Sequence, residues 1–298
     1  MQDTVVIPSR YRGPPQSGNG GYVSGIFAEL LPRHPEKAPE ITLRSPIPLD
    51  RTMIVKRGAS ESHGVDIFDD ETLIAECRLI DSPFVDFIVP PCPDPARIEA
   101  AMPASLAFTP NINPLLPNQK GFHPICFCCG VEAEDGLQIY PAPLDPGHVA
   151  ALWKTKEAWA VGGKVPASFL WTAMDCPAQF AFMNASIRTG LMGRMSAEIL
   201  ALPTAGATLI VSAWTIAVQG KKHFAGAALF DETGEQLARA TTLWIGGEPI
   251  RGLSSAGSVL SLSFELWLTS TDLISTSTYS SLLGQCFASI QEVVMPPP

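Results

Sequence analysis

Apolar positions change their spacing along the chain, and the changes mark elements. Residues 22–31 are almost continuously apolar, follow Gly18-Asn19-Gly20-Gly21 and stop at Pro32 and His34-Pro35, which predicts one helix of about ten residues. Shorter runs at 41–47, 52–56, 64–68 and 73–80 read as strands, with the turn Asp69-Asp70-Glu71-Thr72 between the last two. Further on, 148–154 reads as a strand. The apolar run 167–183 is too long for one and predicts a helix that Pro177 kinks or divides. Strand-like runs at 195–202, 208–219, 223–230 and 237–245 follow, with the turn Asp231-Glu232-Thr233-Gly234 before the last.

The same order of signals therefore occurs twice. Thr52-Met53-Ile54-Val55 parallels Thr208-Leu209-Ile210-Val211, and Ile67-Phe68-Asp69-Asp70-Glu71-Thr72-Leu73 parallels the stretch from Leu229 to Leu237. A duplicated unit, a helix and then four antiparallel strands, predicts an α+β architecture with each sheet wrapped over a buried helix. Between the copies, ten of the 28 prolines fall at 83–124, which predicts a linker without regular elements. The expected division is 1–82, a linker 83–146 that carries a cysteine cluster, 147–247, and a Ser/Thr-rich extension 248–298. Alternation at Leu260, Leu262, Phe264, Leu266 and Leu268 predicts a strand with one apolar face in that extension, with poor order towards its end.

Composition narrows the function. With 46% hydrophobic and 16% charged residues the chain is expected to fold. Its net charge of -9 argues against a nucleic-acid partner, which needs concentrated positive charge, but leaves anionic small molecules open. The first fifteen residues lack a basic segment followed by an apolar one, and no apolar run reaches the length of a membrane span, so a cytoplasmic chain without membrane partners is expected. Seven cysteines along such a chain read as reduced thiols.

Three segments carry a resemblance: Gly18-Asn19-Gly20-Gly21-Tyr22, Phe169-Leu170-Trp171-Thr172-Ala173-Met174-Asp175-Cys176-Pro177, and Cys126-Phe127-Cys128-Cys129-Gly130. With the duplicated pattern, over about residues 5–80 and 147–246, the chain resembles tandem (double) hot-dog proteins of the acyl-CoA thioesterase type. The resemblance implies two pseudo-twofold-related units, each a long buried helix wrapped by an antiparallel sheet. It also implies hydrolysis of acyl thioesters, with coenzyme A as part of the substrate and no other cofactor or metal. Such proteins place a His-Gly-Gly or Asn-Gly-Gly turn before the helix and an acid about nine residues on. Here Asn19-Gly20-Gly21 has the turn but Ala28 stands at the acid position, with Glu29 one place late; the second helix has Asp175 but Val165-Pro166-Ala167 in place of the turn. The two incomplete halves suggest one site shared between units. In it Asn19 and the Gly20 and Gly21 amides would polarise the carbonyl, and Asp175 would activate water with Thr172 as helper. Glu29 would mark a degenerate second site. Further pairing into homo-oligomers is common in such proteins.

Each candidate has a plainer reading beside it. Asn19-Gly20-Gly21 can be a capping turn, Asp175 can cap a new segment at Pro177, and Glu29 can be a solvated side chain. Tyr22, Phe169 and Trp171 fit a core or the walls of an acyl tunnel. Lys221, Lys222 and His223 at a hairpin can meet the phosphates of coenzyme A or be a solvated turn. Cys126, Cys128, Cys129 and His123 have zinc-ligand chemistry, but a single CxxC needs a distant partner such as His148 or Cys92. Buried cysteines that fix the linker are therefore the default, and no metal is expected. Gly162-Gly163-Lys164 lacks P-loop spacing. A non-catalytic acyl-CoA or lipid-ligand binding protein is the alternative from another class. A hot-dog hydratase or dehydratase ranks lower, because neither helical run holds a His.

Overall fold

The computed structural model describes residues 3–58, 64–109 and 123–246, so the strand expected after residue 251 lies outside the described residues. Among the described residues eleven strands form one antiparallel sheet. They are β1 (Thr4–Val6), β2 (Lys37–Leu43), β3 (Thr52–Arg57), β4 (Val65–Asp69), β5 (Thr72–Asp81), β6 (Ala142–Asp145), β7 (His148–Lys154), β8 (Leu191–Ile199), β9 (Thr208–Gln219), β10 (Lys222–Phe230) and β11 (Gln236–Ile245). The order across the sheet is β1-β3-β4-β5-β2-β8-β11-β10-β9-β7-β6. Counted outward, β5, β4, β3 and β1 beyond β2 mirror β11, β10, β9 and β7 beyond β8, with β6 added outside β7. At the midline β2 and β8 pair through Glu40 with Ser196, Ile41 with Met195 and Thr42 with Arg194. Arg194 Nε also donates to Thr42 Oγ1 at 3.0 Å. Pro39 is tolerated in β2 because the pairing with β8 begins only at Glu40, which leaves that side of Pro39 an edge.

The helices are α1 (Gly20–Ala28), α2 (Pro95–Ala101), α3 (Ala167–Ala173) and α4 (Cys176–Asn184). The first helical run forms α1, nine residues where about ten were expected, and the second is divided at Met174–Asp175, with Pro177 in the first turn of α4, so neither half holds one long helix. Proline needs no N–H there, so it starts a helix where it would break one. The linker reading is also corrected, because α2 lies inside it. Asp94 caps α2 by accepting from the Ala96 amide at 2.9 Å, and Pro95 opens its first turn.

Strand alternation puts neighbouring residues on opposite faces. Leu209, Val211 and Ala213 of β9 and Val149, Ala151 and Trp153 of β7 join Val23, Phe27, Ile41, Met53 and Phe180 in the main core under the helices. Ile210 and Trp214 of β9, Ala150 of β7 and Phe230 of β10 meet Ile98 of α2 on the other face. Both faces of these strands are thus covered, which is why their sequences are continuously apolar instead of alternating. The Gly162-Gly163 pair has positive φ at both positions, 59° and 76°, between the bridged residues Val161 and Lys164, so it is a tight hairpin turn.

Candidate active site

Asn19 begins the site. Its extended backbone (φ -65°, ψ 129°) precedes α1, and its side-chain Oδ1 accepts from the Tyr22 amide at 2.9 Å, an N-cap. Asn19→Ala is expected to lower stability by about 1–2 kcal/mol, with Asn19→Ser recovering most of it because Ser caps comparably. Denaturant midpoints check this; an unchanged midpoint in Asn19→Ala would show that the cap carries no weight. The other half of the amide is engaged too, since Nδ2 reaches Cys126 Sγ at 3.7 Å and Cys176 Sγ at 3.8 Å.

Asp175 occupies the cap position of α4 but does not cap it. Its Oδ2 accepts from the Gly21 amide of α1 at 2.8 Å, across 154 residues of sequence. The carboxyl is 3% exposed, and Oδ1 is buried with no hydrogen-bond partner. Burial pushes the carboxyl up to about 7, against the Gly21 hydrogen bond, which lowers it. The expected partnership of Asn19-Gly20-Gly21 with Asp175 is thus present as a contact, with one difference. The Gly21 amide is already committed to Asp175, and the amide of half-buried Gly20 makes no hydrogen bond among the described residues.

Two glycines allow this approach. A Cβ on Gly21 would lie 2.5 Å from Asp175 Cβ and 2.6 Å from the Trp171 carbonyl, and one on Gly25 would lie 2.6 Å from Ser168 Cα. α1 and α3 therefore cross almost backbone to backbone.

The cysteines close the other side. Cys126 and Cys129 sit on a turn in which Gly130 N donates to Cys126 O at 2.8 Å, and a side chain at Gly130 would strike Pro124 O and Cys126 backbone. Cys176, the residue after Asp175, brings its Sγ to 3.6 Å from Cys126 Sγ. All three thiols are buried. Hydrogen bonds from Cys129 and then Cys176 hold the Cys126 thiol well below its usual range, and the same contacts push Cys129 and Cys176 up. Cys128 donates to the Thr172 carbonyl at 3.2 Å and also interacts with the Cys176 thiol. The distant partner of Cys126 and Cys129 is Cys176, not the residues considered from sequence. His148 Nε2 is bonded to Ser212 Oγ at 2.9 Å, and Cys92 lies near Gly234. Adjacency to Asp175 was the one sequence signal for Cys176; its proximity to Cys126 comes only from the fold.

The remaining candidates fall elsewhere. Thr172 Oγ1 donates to the Ser168 carbonyl at 2.7 Å, which commits the hydroxyl expected to help Asp175. Glu29 is exposed at the far end of α1. Tyr22 stacks on Tyr11 with ring centres 3.8 Å apart, beside Phe127 and Phe169. Trp171 is buried against Gly25. At the β9–β10 hairpin Lys222 is exposed and His223 is buried on the Phe182 ring, 5.3 Å between centres, while Lys221 accepts from Gly246 N through its carbonyl. None of these three contacts the Asp175 group.

By sequence, no family model and no curated protein matches. By structure, the chain is similar to a candidate thioesterase of Novosphingobium aromaticivorans (TM-score 0.54, 14% identity, 82% of this chain and 94% of the other). A candidate thioesterase II of Thermobifida fusca is similar too (0.52, 13%, 82% and 92%), as is a hot-dog protein of unknown function from Alicyclobacillus acidocaldarius (0.52, 11%, 83% and 93%). The chain has the hot-dog fold. Among the described residues no helix is long and apolar enough to cross a membrane.

Proposed function

We propose that the chain hydrolyses acyl thioesters, with Asp175 as base and the first turn of α1 as the acceptor of developing carbonyl charge. The observation that carries this is the hydrogen bond from the Gly21 amide to Asp175 Oδ2. It sets a buried carboxylate beside a helix N-terminus, the two groups such a reaction needs within a few ångströms. Asp175 takes a proton from water as the water oxygen attacks the carbonyl carbon. The carbonyl oxygen becomes the oxyanion and is received by the Gly20 amide and the positive end of α1. Collapse of the tetrahedral species breaks the C–S bond, and the proton on Asp175 passes to the leaving thiolate, which restores the carboxylate. The likeness to candidate thioesterases supports the reaction class.

The mirrored strand order supports a duplicated hot-dog unit, residues 1–82 and 147–247, joined through β2 and β8. The site is then composite, Asn19 to Gly21 from one copy and Asp175 from the other. Coenzyme A is the carrier we expect.

The first test is release of free thiol by the whole chain from short, long and aromatic acyl-CoAs. Turnover of at least one class is expected. Absence of turnover with every class, together with a raised melting temperature, would replace hydrolysis by binding alone. That second reading draws on the internal commitment of Asn19 and the Gly21 amide and on the burial of Asp175.

A further inference from the structure

The sulfurs of Cys126, Cys129 and Cys176 all lie within 4.8 Å of one another, and two of them are 3.6 Å apart. Around a tetrahedral zinc ion with bonds of about 2.3 Å, neighbouring thiolate sulfurs stand about 3.8 Å apart. Three buried thiols at that spacing can enclose one ion with small side-chain adjustments. The surroundings fit the charged form. Asn19 Nδ2 directs its N–H groups at two of the sulfurs, as outer donors to metal-bound thiolates do. Cys128 is not one of the three, although its thiol, which donates to the Thr172 carbonyl, also interacts with that of Cys176. Beside the cluster Asp175 presents Oδ1, a buried carboxylate oxygen without a hydrogen-bond partner. The tight Gly130 turn presents Cys126 and Cys129 to the same side, and the break between α3 and α4 delivers Cys176 to them.

We propose that Cys126, Cys129 and Cys176 form a binding site for one thiophilic divalent cation of the zinc class, with a fourth position open to a non-protein ligand next to Asp175. Thiolate ligands select zinc over calcium or magnesium. Three protein ligands with one open corner are the arrangement of zinc sites that take up exogenous molecules. The proposal does not depend on thioester hydrolysis, since it is read by metal binding itself.

The experiment titrates cobalt(II) without oxygen into the reduced, metal-stripped full chain. The expected result is one equivalent bound, with a thiolate-to-cobalt charge-transfer band and the visible bands of tetrahedral cobalt, both bleached by added zinc. Cys126→Ser and Cys176→Ser are expected to lose the band or weaken binding by about tenfold or more. Cys92→Ser, outside the cluster, keeps it. Circular dichroism reports whether each variant is folded. Should the serine variants fail to fold, the wild-type chain decides: the cobalt spectrum, together with a melting temperature raised by zinc, supports the site. A folded wild-type chain without the charge-transfer band overturns the proposal, as does an unchanged band in folded Cys176→Ser. Recovery of a Cys126–Cys176 disulfide from metal-free protein purified without reductant also overturns it and makes the pair a redox couple instead.

Discussion

Asp175→Asn is expected to slow thiol release by about 10²–10⁴-fold while leaving the chain folded, the range over which a positioned general base acts. Asparagine keeps the volume of the side chain and an oxygen that can accept from the Gly21 amide, so the contact between α1 and the α3–α4 break survives. What it lacks is a lone pair basic enough to take a proton from water. It also removes a carboxylate from a place where burial disfavours charge, so melting temperature should hold or rise. Steady-state rates with the best acyl-CoA, paired with thermal melts, give the answer. A rate loss below about tenfold in a folded variant would remove Asp175 from the chemistry. Asp175→Ala is the poorer probe, since it would also strip the Gly21 amide of its acceptor.

Gly25→Ala should destabilise the chain by about 1–3 kcal/mol, against the local trend. In an isolated helix the same change would stabilise by up to about 1 kcal/mol, because alanine is the better helix former. Here the added methyl group would lie 2.6 Å from Ser168 Cα and 3.1 Å from Trp171 Cβ, neither of which is the tip of a flexible side chain. The helices must separate or tilt, and close packing at the crossing outweighs propensity. Gly21→Ala carries the same penalty and displaces Asp175 as well, so it is expected to lose stability and turnover together. Ser24→Ala is the contrast. Its hydroxyl is buried with no hydrogen-bond partner, and removing it should be neutral or favourable. Denaturant midpoints for the three variants test the set; a midpoint raised by Gly25→Ala would mean that the helices do not meet this closely.

Much of the architecture was legible because it rests on local signals. Thr208–Gln219 and His148–Lys154 are strands over the very residues their apolar runs marked, and Pro177 divides the second helical run as its missing N–H requires. Signals failed where the local chemistry looked like a turn but tertiary packing decided otherwise. β8 begins at Leu191, earlier than expected, although Gly190 and Gly193 flank its start. Those glycines are there because β11 runs close by, Gly190 against the Ile245 carbonyl and Gly193 against its side chain. Asp94-Pro95 is a sound helix start that a proline-rich neighbourhood concealed. For the site, the acid, the Asn-Gly-Gly turn and their meeting could be read from sequence, but not the sulfurs that engage Asn19. The commitment of Thr172 to Ser168, and the meeting of Cys176 with a turn some fifty residues away, depend on helix placement that no short motif encodes.

The two outermost strands of the sheet are its shortest kind, three residues in β1 and four in β6, and Pro143 removes one donor from β6. A strand margin with so few open amide and carbonyl groups is a poor template for another chain. Among the described residues, then, sheet-to-sheet extension between molecules is discouraged at both rims. If copies of this protein associate, the fold directs them to meet through faces or helices instead of by adding strand to strand at either rim.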